Sequence, residues 1–501
     1  MFLSFALILL AFAFWWIRVY TFWQRHGIRH IKPWPLIGTI RDVLTFRKNI
    51  GVHFYDIYRD PRFVNEPIVG VHMLHQPALV IREPDLLKYI FIKDFNSFHD
   101  RYIEVDGSAD PFGALNLFVT EYKNWSKIRP KFSPTFTSGK LKKMFPLMMQ
   151  IAHNMENHLL SKGDNFNANV KQLCALYTTD QISSIAFGIE TQSFENPNNE
   201  FALQNEDNVR ERPAYFIMIM LILPQLAKLF RATFFTQKYQ QFMRTSMNDI
   251  MAQRIKSNTK RNDLLDTIIE LRQEIKATEE KNDQQHDLTD DMLLAQGGMF
   301  YLAGYETSME ALTYTLYLLA QHPKIQNRLR NEIKEALKDT NGSITYDSLM
   351  SLKYLDMVIS ESLRLYPVVP YVDRKHNCLS GGFSLKPYAG FTLPDGMPVF
   401  VSILGLHRDE KYWPHPNVFD PERFSPTNSI PAYAYLPFGL GSHNCIGARL
   451  AQLQIKVGLL HFLRNFEVRT CSDTIDEFKY CSNAVTLMSE DDIYLKFVKN
   501  S

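Results

Sequence analysis

The chain has 501 residues, of which 46% are hydrophobic and 13% aromatic, with a formal net charge of +2. A charge so near balance leaves no nucleic-acid footprint, and the five cysteines, odd in number and without a C-x-x-C pair, argue against a disulfide framework and for a reducing compartment. The length admits two or three average domains or one large enzyme fold, and 36 Phe with 23 Tyr suit thick helix packing around apolar cavities.

At the N-terminus, residues 1–17 carry no charged side chain, and apolar character resumes beyond Arg18 as far as Trp23. Seventeen helical residues reach about 25 Å, short of a bilayer core of about 30 Å. Extension to Trp23, with Arg18 snorkelling, brings the span within range. Arg18, Arg25, Arg29 and Lys32 follow the apolar run, which by the positive-inside rule leaves the N-terminus in the lumen and the remainder in the cytosol. Neither a basic leader nor a small-residue cleavage site is present. The prediction is a transmembrane signal anchor over residues 1–23, with Trp15, Trp16 and Trp23 in an interfacial belt. A Pro-stiffened hinge follows over 24–40, around Lys32-Pro33-Trp34-Pro35-Leu36-Ile37-Gly38, and one catalytic domain over 41–501.

Runs rich in Val and Ile predict strands at 67–72, 78–82 and 397–403. Helical patterns dominate from 122 to 366, where Pro367 stops the run, and again over 446–465. Residues 214–230 are strongly apolar, but Pro224 and Lys228 interrupt them, so the stretch is too short and broken for a second membrane span. It reads as a buried core helix or as an apolar lip where substrates enter. Residues 254–291, dense in charge, read as a solvated face. No internal repeat or second linker divides the chain, and helix predominates over short strands.

Several constellations carry chemistry. Within the long apolar helix of residues 290–322 lies Ala303-Gly304-Tyr305-Glu306-Thr307. Gly304 costs about 1 kcal/mol of helix stability relative to Ala, and the Thr307 hydroxyl can turn back to the Ala303 carbonyl. Alone, the pattern also arises by chance. Glu361 and Arg364 share a helix face that Pro367 terminates, and in isolation they make an ion pair of little worth. Pro421-Glu422-Arg423-Phe424 precedes the most telling run, Phe438-Gly439-Leu440-Gly441-Ser442-His443-Asn444-Cys445-Ile446-Gly447. That run sets one cysteine in a glycine-punctuated loop ahead of an apolar helix. Asn444 stands where a dinucleotide fingerprint needs its third glycine. Leu440 and Asn444 stand where a hydrolase elbow needs glycines. His443 alone does not complete a zinc site. A thiolate donor to iron fits best.

The run resembles the haem-binding loop of the cytochromes P-450, the haem-thiolate monooxygenases, and similarity extends from the N-terminal segment to the last helix. The resemblance implies a mainly α fold with a smaller β-rich subdomain, and Cys445 as axial ligand of haem b (iron protoporphyrin IX). By the same resemblance Glu306 and Thr307 manage protons on the oxygen side. Trp125 and Arg129, at i and i+4, would hold the haem propionates with Arg374 and His443. Glu361, Arg364 and Arg423 would form a buried network that locks the cysteine loop. Ser442-His443 replaces a usual Pro-Arg, and an imidazole with an ordinary pKa of about 6.5 makes haem retention pH-sensitive in expectation.

Electrons would come from NADPH through NADPH-cytochrome P-450 reductase, with cytochrome b5 as an optional second donor. Lys123, Lys127, Lys131, Lys140, Lys142 and Lys143 form a basic band that either docks the reductase or is a solvated face. The substrate would be a lipophilic small molecule (xenobiotic, hormone or fatty-acid-like). The setting would be the endoplasmic reticulum membrane, with the catalytic domain on its cytosolic face. The string from Lys131 to Lys140 and residues 404–408 look most like microsomal insect enzymes of the xenobiotic-metabolising group. A peroxide-rearranging haem-thiolate enzyme and a silent haem or lipid binder are the rival classes.

Overall fold

The computed structural model describes residues 2–282, 288–339, 342–378 and 382–500, so Met1 and residues 283–287 of the charged stretch lie outside the described residues. Helices carry most of the chain. The longest, Asp290–Gln321, starts where the Thr289 side chain accepts the Met292 N–H, with Asp290 and Asp291 in the first turn, where negative charge suits the helix dipole. It is buried on nearly all sides, as an apolar helix through a core must be. Val170–Ile182, Pro111–Leu115 and Ala448–Leu463 pack against it. Lys353–Leu365 ends two residues before Pro367, and Ala448–Leu463 lies within the predicted 446–465.

The larger sheet has four strands in the order Ile68–Met73, Gln76–Ile81, Pro398–Ser402 and Tyr371–Lys375. The first two form an antiparallel hairpin pairing Ile68 with Ile81; Gln76–Ile81 runs parallel to Pro398–Ser402, and Tyr371–Lys375 lies antiparallel to it. Its members include all three predicted strands. A three-stranded sheet joins Asn165–Asn169, Tyr494–Lys499 and Phe466–Arg469, none of them predicted, and a short pair joins Phe383–Ser384 to Thr392–Leu393. Asn165–Asn169 reads as Asn-Phe-Asn-Ala-Asn, and Tyr371–Lys375 is mostly charged, so neither shows the apolar run by which strands are recognised.

At the N-terminus, helix Phe2–Tyr20 leads into Phe22–Arg25. Among the described residues no helix is long and apolar enough to cross a membrane. Phe5, Leu7, Leu10, Phe14 and Ile17 are exposed on the first helix. Trp23, expected in an interfacial belt, is instead fully buried in the body: its Nε1 donates to the Val71 carbonyl at 2.8 Å and its ring meets Phe391 edge-on at 5.4 Å. The indole fills the space above Gly70, where an added Cβ would lie 2.6 Å from Trp23 Cγ. Residues 24–40, read as a hinge, are fastened along the sheet edge. Ile31 N–H donates to Gly70 O (3.0 Å), Gly70 N–H to Arg29 O (2.9 Å) and Thr39 N–H to His72 O (2.9 Å).

The apolar stretch after residue 213 forms the helix Ala214–Ile222, with residues 217–222 buried and the chain broken before Pro224. Beyond it Leu229 and Phe230 are exposed.

Candidate active site

The cysteine loop is built on two left-handed glycines, Gly439 at φ +75° and Gly441 at φ +71°. A Cβ on Gly441 would land on the Phe91 carbonyl oxygen, so this turn requires glycine for space as well as for conformation. The Asn444 N–H then donates to Gly441 O (3.0 Å) and the Cys445 N–H to Phe438 O (2.8 Å), which folds the cysteine back over the start of the loop. Helix Ala448–Leu463 begins three residues later.

The Cys445 side chain faces a cavity of about 150 Å³. Cys445, Ile446, Gly447, Leu450 and Ala451 line it together with Ala303, Gly304 and Thr307 of the long helix. The thiol is therefore open to a void yet enclosed by protein. Burial pushes its pKa up, while the Gly447 N–H and the charge of Arg129 pull it down.

On the long helix, Thr307 Oγ1 donates to Ala303 O at 2.7 Å, as the spacing predicts. Gly304 has a packing role as well: its missing Cβ is replaced by Ile182, whose Cδ1 would stand 2.6 Å from it. The Glu306 carboxylate turns toward the C-terminal segment, where Thr486 Oγ1 donates to its Oε1 at 2.8 Å. Burial raises the Glu306 pKa, opposed by Thr486 and by the positive Arg212.

Cations gather beside the loop. Helix Tyr122–Phe132 presents Trp125 and Arg129; the Trp125 and His443 ring centroids are 4.1 Å apart, and Arg129 Nη2 donates to Asn444 Oδ1 at 3.1 Å. Arg374 lies buried over the Phe91 ring, with Nη1 donating to the Asp373 carbonyl at 2.6 Å and Nε unpartnered. Arg101, which sequence reasoning missed, is also enclosed, its Nε unpartnered and Nη1 3.7 Å from Asp373 Oδ1. Burial, then the charge of Arg101, pushes the Arg374 pKa down to about 9.

His443 does not join these cations. Burial first, then Arg374 and Arg101, push its pKa down to about 2, and its Nε2 lies 2.8 Å from His99 O. Its ring nitrogen donates to that carbonyl, and the neighbouring guanidiniums disfavour the charged imidazole. Two buried guanidiniums with orphaned Nε–H groups carry an unmet demand for negative charge, and leaving such groups unpaired costs several kcal/mol. A planar apolar macrocycle with two carboxylates and a thiolate-seeking iron satisfies that demand, so these residues fit haem.

Behind the loop, Glu361 and Arg364 are fully buried and joined by two bonds, Nε–Oε2 at 2.6 Å and Nη2–Oε1 at 2.7 Å. Arg364 also donates to the carbonyls of His407 (2.8 Å), Pro416 (2.7 Å) and Val418 (3.2 Å). Glu361 Oε1 accepts the Asp420 N–H at 2.9 Å and stands 3.4 Å from Arg423 Nε, so all three predicted residues meet. The neutral side chain of His407 extends the cluster, its Nε2 accepting the Leu436 N–H (2.8 Å) two residues before Phe438.

The chain matches the family model "Cytochrome P450" over residues 29–497. "Probable cytochrome P450 6w1" of Drosophila melanogaster is 39% identical over 499 residues, covering 98% of this chain and 96% of the relative. "Cytochrome P450 6k1" of Blattella germanica is 36% identical over 512 residues, covering 99% and 96%. "Cytochrome P450 6a2" of Drosophila melanogaster is 35% identical over 494 residues, covering 97% and 96%. With the whole length matched and a cysteine loop and a glycine-bearing helix lining one cavity, the chain belongs to the cytochrome P450 family, haem-dependent monooxygenases, and is similar to insect members of it.

Proposed function

We propose that this chain is a membrane-associated monooxygenase that inserts one oxygen atom from O2 into a lipophilic small molecule, drawing electrons from NADPH through a separate reductase. The observation that carries the reading is that Cys445 and Thr307 line one cavity whose walls are almost wholly apolar. Haem, when bound, supplies the oxygen-activating chemistry, and a thiolate ligand favours O–O cleavage.

The protein's own residues do the rest. Cys445 holds the iron, and Arg101, Arg129 and Arg374 with Trp125 receive the propionates, with the His443 ring packed against Trp125. Thr307 and Glu306 hold protons on the long helix. The Glu361–Arg364–Arg423 cluster fixes the loop, so its role is positional. The apolar lining favours a xenobiotic, hormone or fatty-acid-like substrate and keeps water away from it.

No flavin or nicotinamide fingerprint is present, which supports an external NADPH-cytochrome P450 reductase and cytochrome b5 as electron carriers. Of the basic band, Lys131 pairs with Glu274 at 2.7 Å and Lys142 with Asp347, so docking there would have to exchange these partners. The exposed apolar side chains of Phe2–Tyr20 support insertion of that helix into the endoplasmic reticulum membrane, with the chain from Trp23 onward in a cytosolic catalytic domain.

The test is a carbon monoxide difference spectrum of the reduced protein. A thiolate-type band is expected, and Cys445→Ala should abolish it; no band in the parent, or an unchanged band in the variant, overturns the reading. NADPH-driven oxidation of a lipophilic probe by the reconstituted system then separates a monooxygenase from a silent binder.

A further inference from the structure

The structure assigns to Glu310 a role as the proton store behind Glu306, connected to it through the hydroxyl of Thr486; this rests on the monooxygenase reading of the same site. Glu306 and Glu310 stand at i and i+4 on one face of the long helix, where two negative charges repel. Glu310 is buried, 3% exposed, and Glu306 is half-buried. Thr486 Oγ1 lies 2.8 Å from Glu306 Oε1 and 3.1 Å from Glu310 Oε1.

A hydroxyl has one hydrogen to donate. Thr486 can donate to only one of the two carboxyls. The other contact is a hydrogen bond only when that carboxyl carries a proton and donates to the Thr486 oxygen. One extra proton on the triad lets both contacts be full hydrogen bonds.

That proton sits on Glu310. Its Oε2 has no partner, a costly state for a buried carboxylate and a mild one for a neutral acid. Arg212 faces Glu306 and favours charge there, whereas Glu310 is pushed well above the carboxylate range by burial and by the neighbouring Glu306. Lys171 acts on Glu310 from the other side, but its Nζ is engaged with Ser489 O at 2.7 Å.

The transfer balances in two hops. The Glu310 Oε1–H bond breaks as a bond to Thr486 Oγ1 forms, and the Thr486 proton passes to Glu306 Oε1. Glu310 is left as the carboxylate and regains its proton from solvent hydronium, which becomes water. The bridge is held firmly, because the two hydrogens of buried Asn49 Nδ2 are shared among the carbonyls of Cys481 (2.8 Å), Ala484 (3.0 Å) and Thr486 (3.1 Å), and the next residue, Leu487, donates its N–H to Val368 O (2.9 Å).

The experiment uses the full-length haem protein and two readouts. Infrared spectroscopy of the resting protein should show a protonated-carboxyl stretch that shifts in 2H2O and disappears in Glu310→Gln. In the reconstituted system Glu310→Gln should cut product formed per NADPH on the order of tenfold, less than the hundredfold or more expected for a group that itself delivers the proton. The missing electrons should appear as hydrogen peroxide, formed from O2, two electrons and two protons. Thr486→Val should give the same loss of coupling while keeping the infrared band, and Thr486→Ser should restore coupling. A parent protein without the band, or a Glu310→Gln protein coupled as well as the parent, overturns the assignment. Because the carbon monoxide band is expected unchanged in all three variants, its absence from the parent would instead indict the monooxygenase reading.

Discussion

Arg364 illustrates how a single side chain can be fully used: both carboxylate oxygens of Glu361 and three backbone carbonyls receive its hydrogen bonds, with no surface exposed. Lysine lacks the planar fork that reaches these acceptors together. Arg364→Lys should therefore cost about 3–5 kcal/mol, the range for breaking a buried pair, and should drop the haem-to-protein ratio, read from the Soret band, before any catalytic assay applies. His407, beside it, gives a pH prediction. Burial, then the charge of Arg364, holds its pKa down to about 3, below the 6.5 of an unfolded imidazole. The unfolded chain thus binds the extra proton first, so this contribution to stability is complete above about pH 6.5 and is lost as pH falls toward 3. Urea unfolding between pH 7 and 4 should show it as a slope of up to about 1.4 kcal/mol per pH unit. His407→Gln, which cannot titrate, should be flatter by that amount. The chemistry of Cys445 was legible because its neighbours in sequence are its neighbours in space. Arg101 was hidden because Arg374, the residue that gives it meaning, lies in a strand of another region.

At the level of elements, the C-terminal segment 481–489 acts as a strap along the long helix. Thr486 touches Glu306 and Glu310, and Tyr314, one turn further, donates to the Leu487 carbonyl. Asn49 ties the strap to the N-terminal part of the chain by three hydrogen bonds. Asn49→Ala removes the two Nδ2 hydrogens that the carbonyls of Cys481, Ala484 and Thr486 share and should destabilise by about 1–3 kcal/mol. It should also lower product per NADPH, measured beside a thermal melt, because Thr486 loses its fixed place. Nothing in residues 481–489 announced a strap. It has no hydrophobic period, and its partners lie hundreds of residues away. By contrast the long helix, the Pro367 stop and the hairpin of the four-stranded sheet declared themselves through local pattern, and the polar strand Asn165–Asn169 did not.

On the scale of the whole molecule, the N-terminal region divides at Trp23. Before it, exposed Phe, Leu and Ile side chains have no protein to cover them; from Trp23 onward the chain belongs to the sheet. Deletion through residue 18, which keeps the Val19 carbonyl bonded to buried His72, should abolish flotation with phospholipid vesicles while leaving the carbon monoxide band and melting temperature unchanged. Deletion through residue 27 removes the indole from beneath Phe391 and should cost about 3–5 kcal/mol, the scale of losing a buried tryptophan. Composition and the apolar run marked the start of the body approximately. They could not place the boundary inside a short helix whose one tryptophan is core.

The crowding at Gly441 has a genetic side. With the Phe91 carbonyl where a side chain would begin, every missense change at that codon meets the same obstruction, whatever its chemistry. A saturation library scored for haem content should show codon 441 depleted of all nineteen alternatives, while exposed Leu229 and Phe230 tolerate broad diversity. Null alleles would accumulate in the loop, and variants with altered substrate preference would be drawn from elsewhere in the sequence.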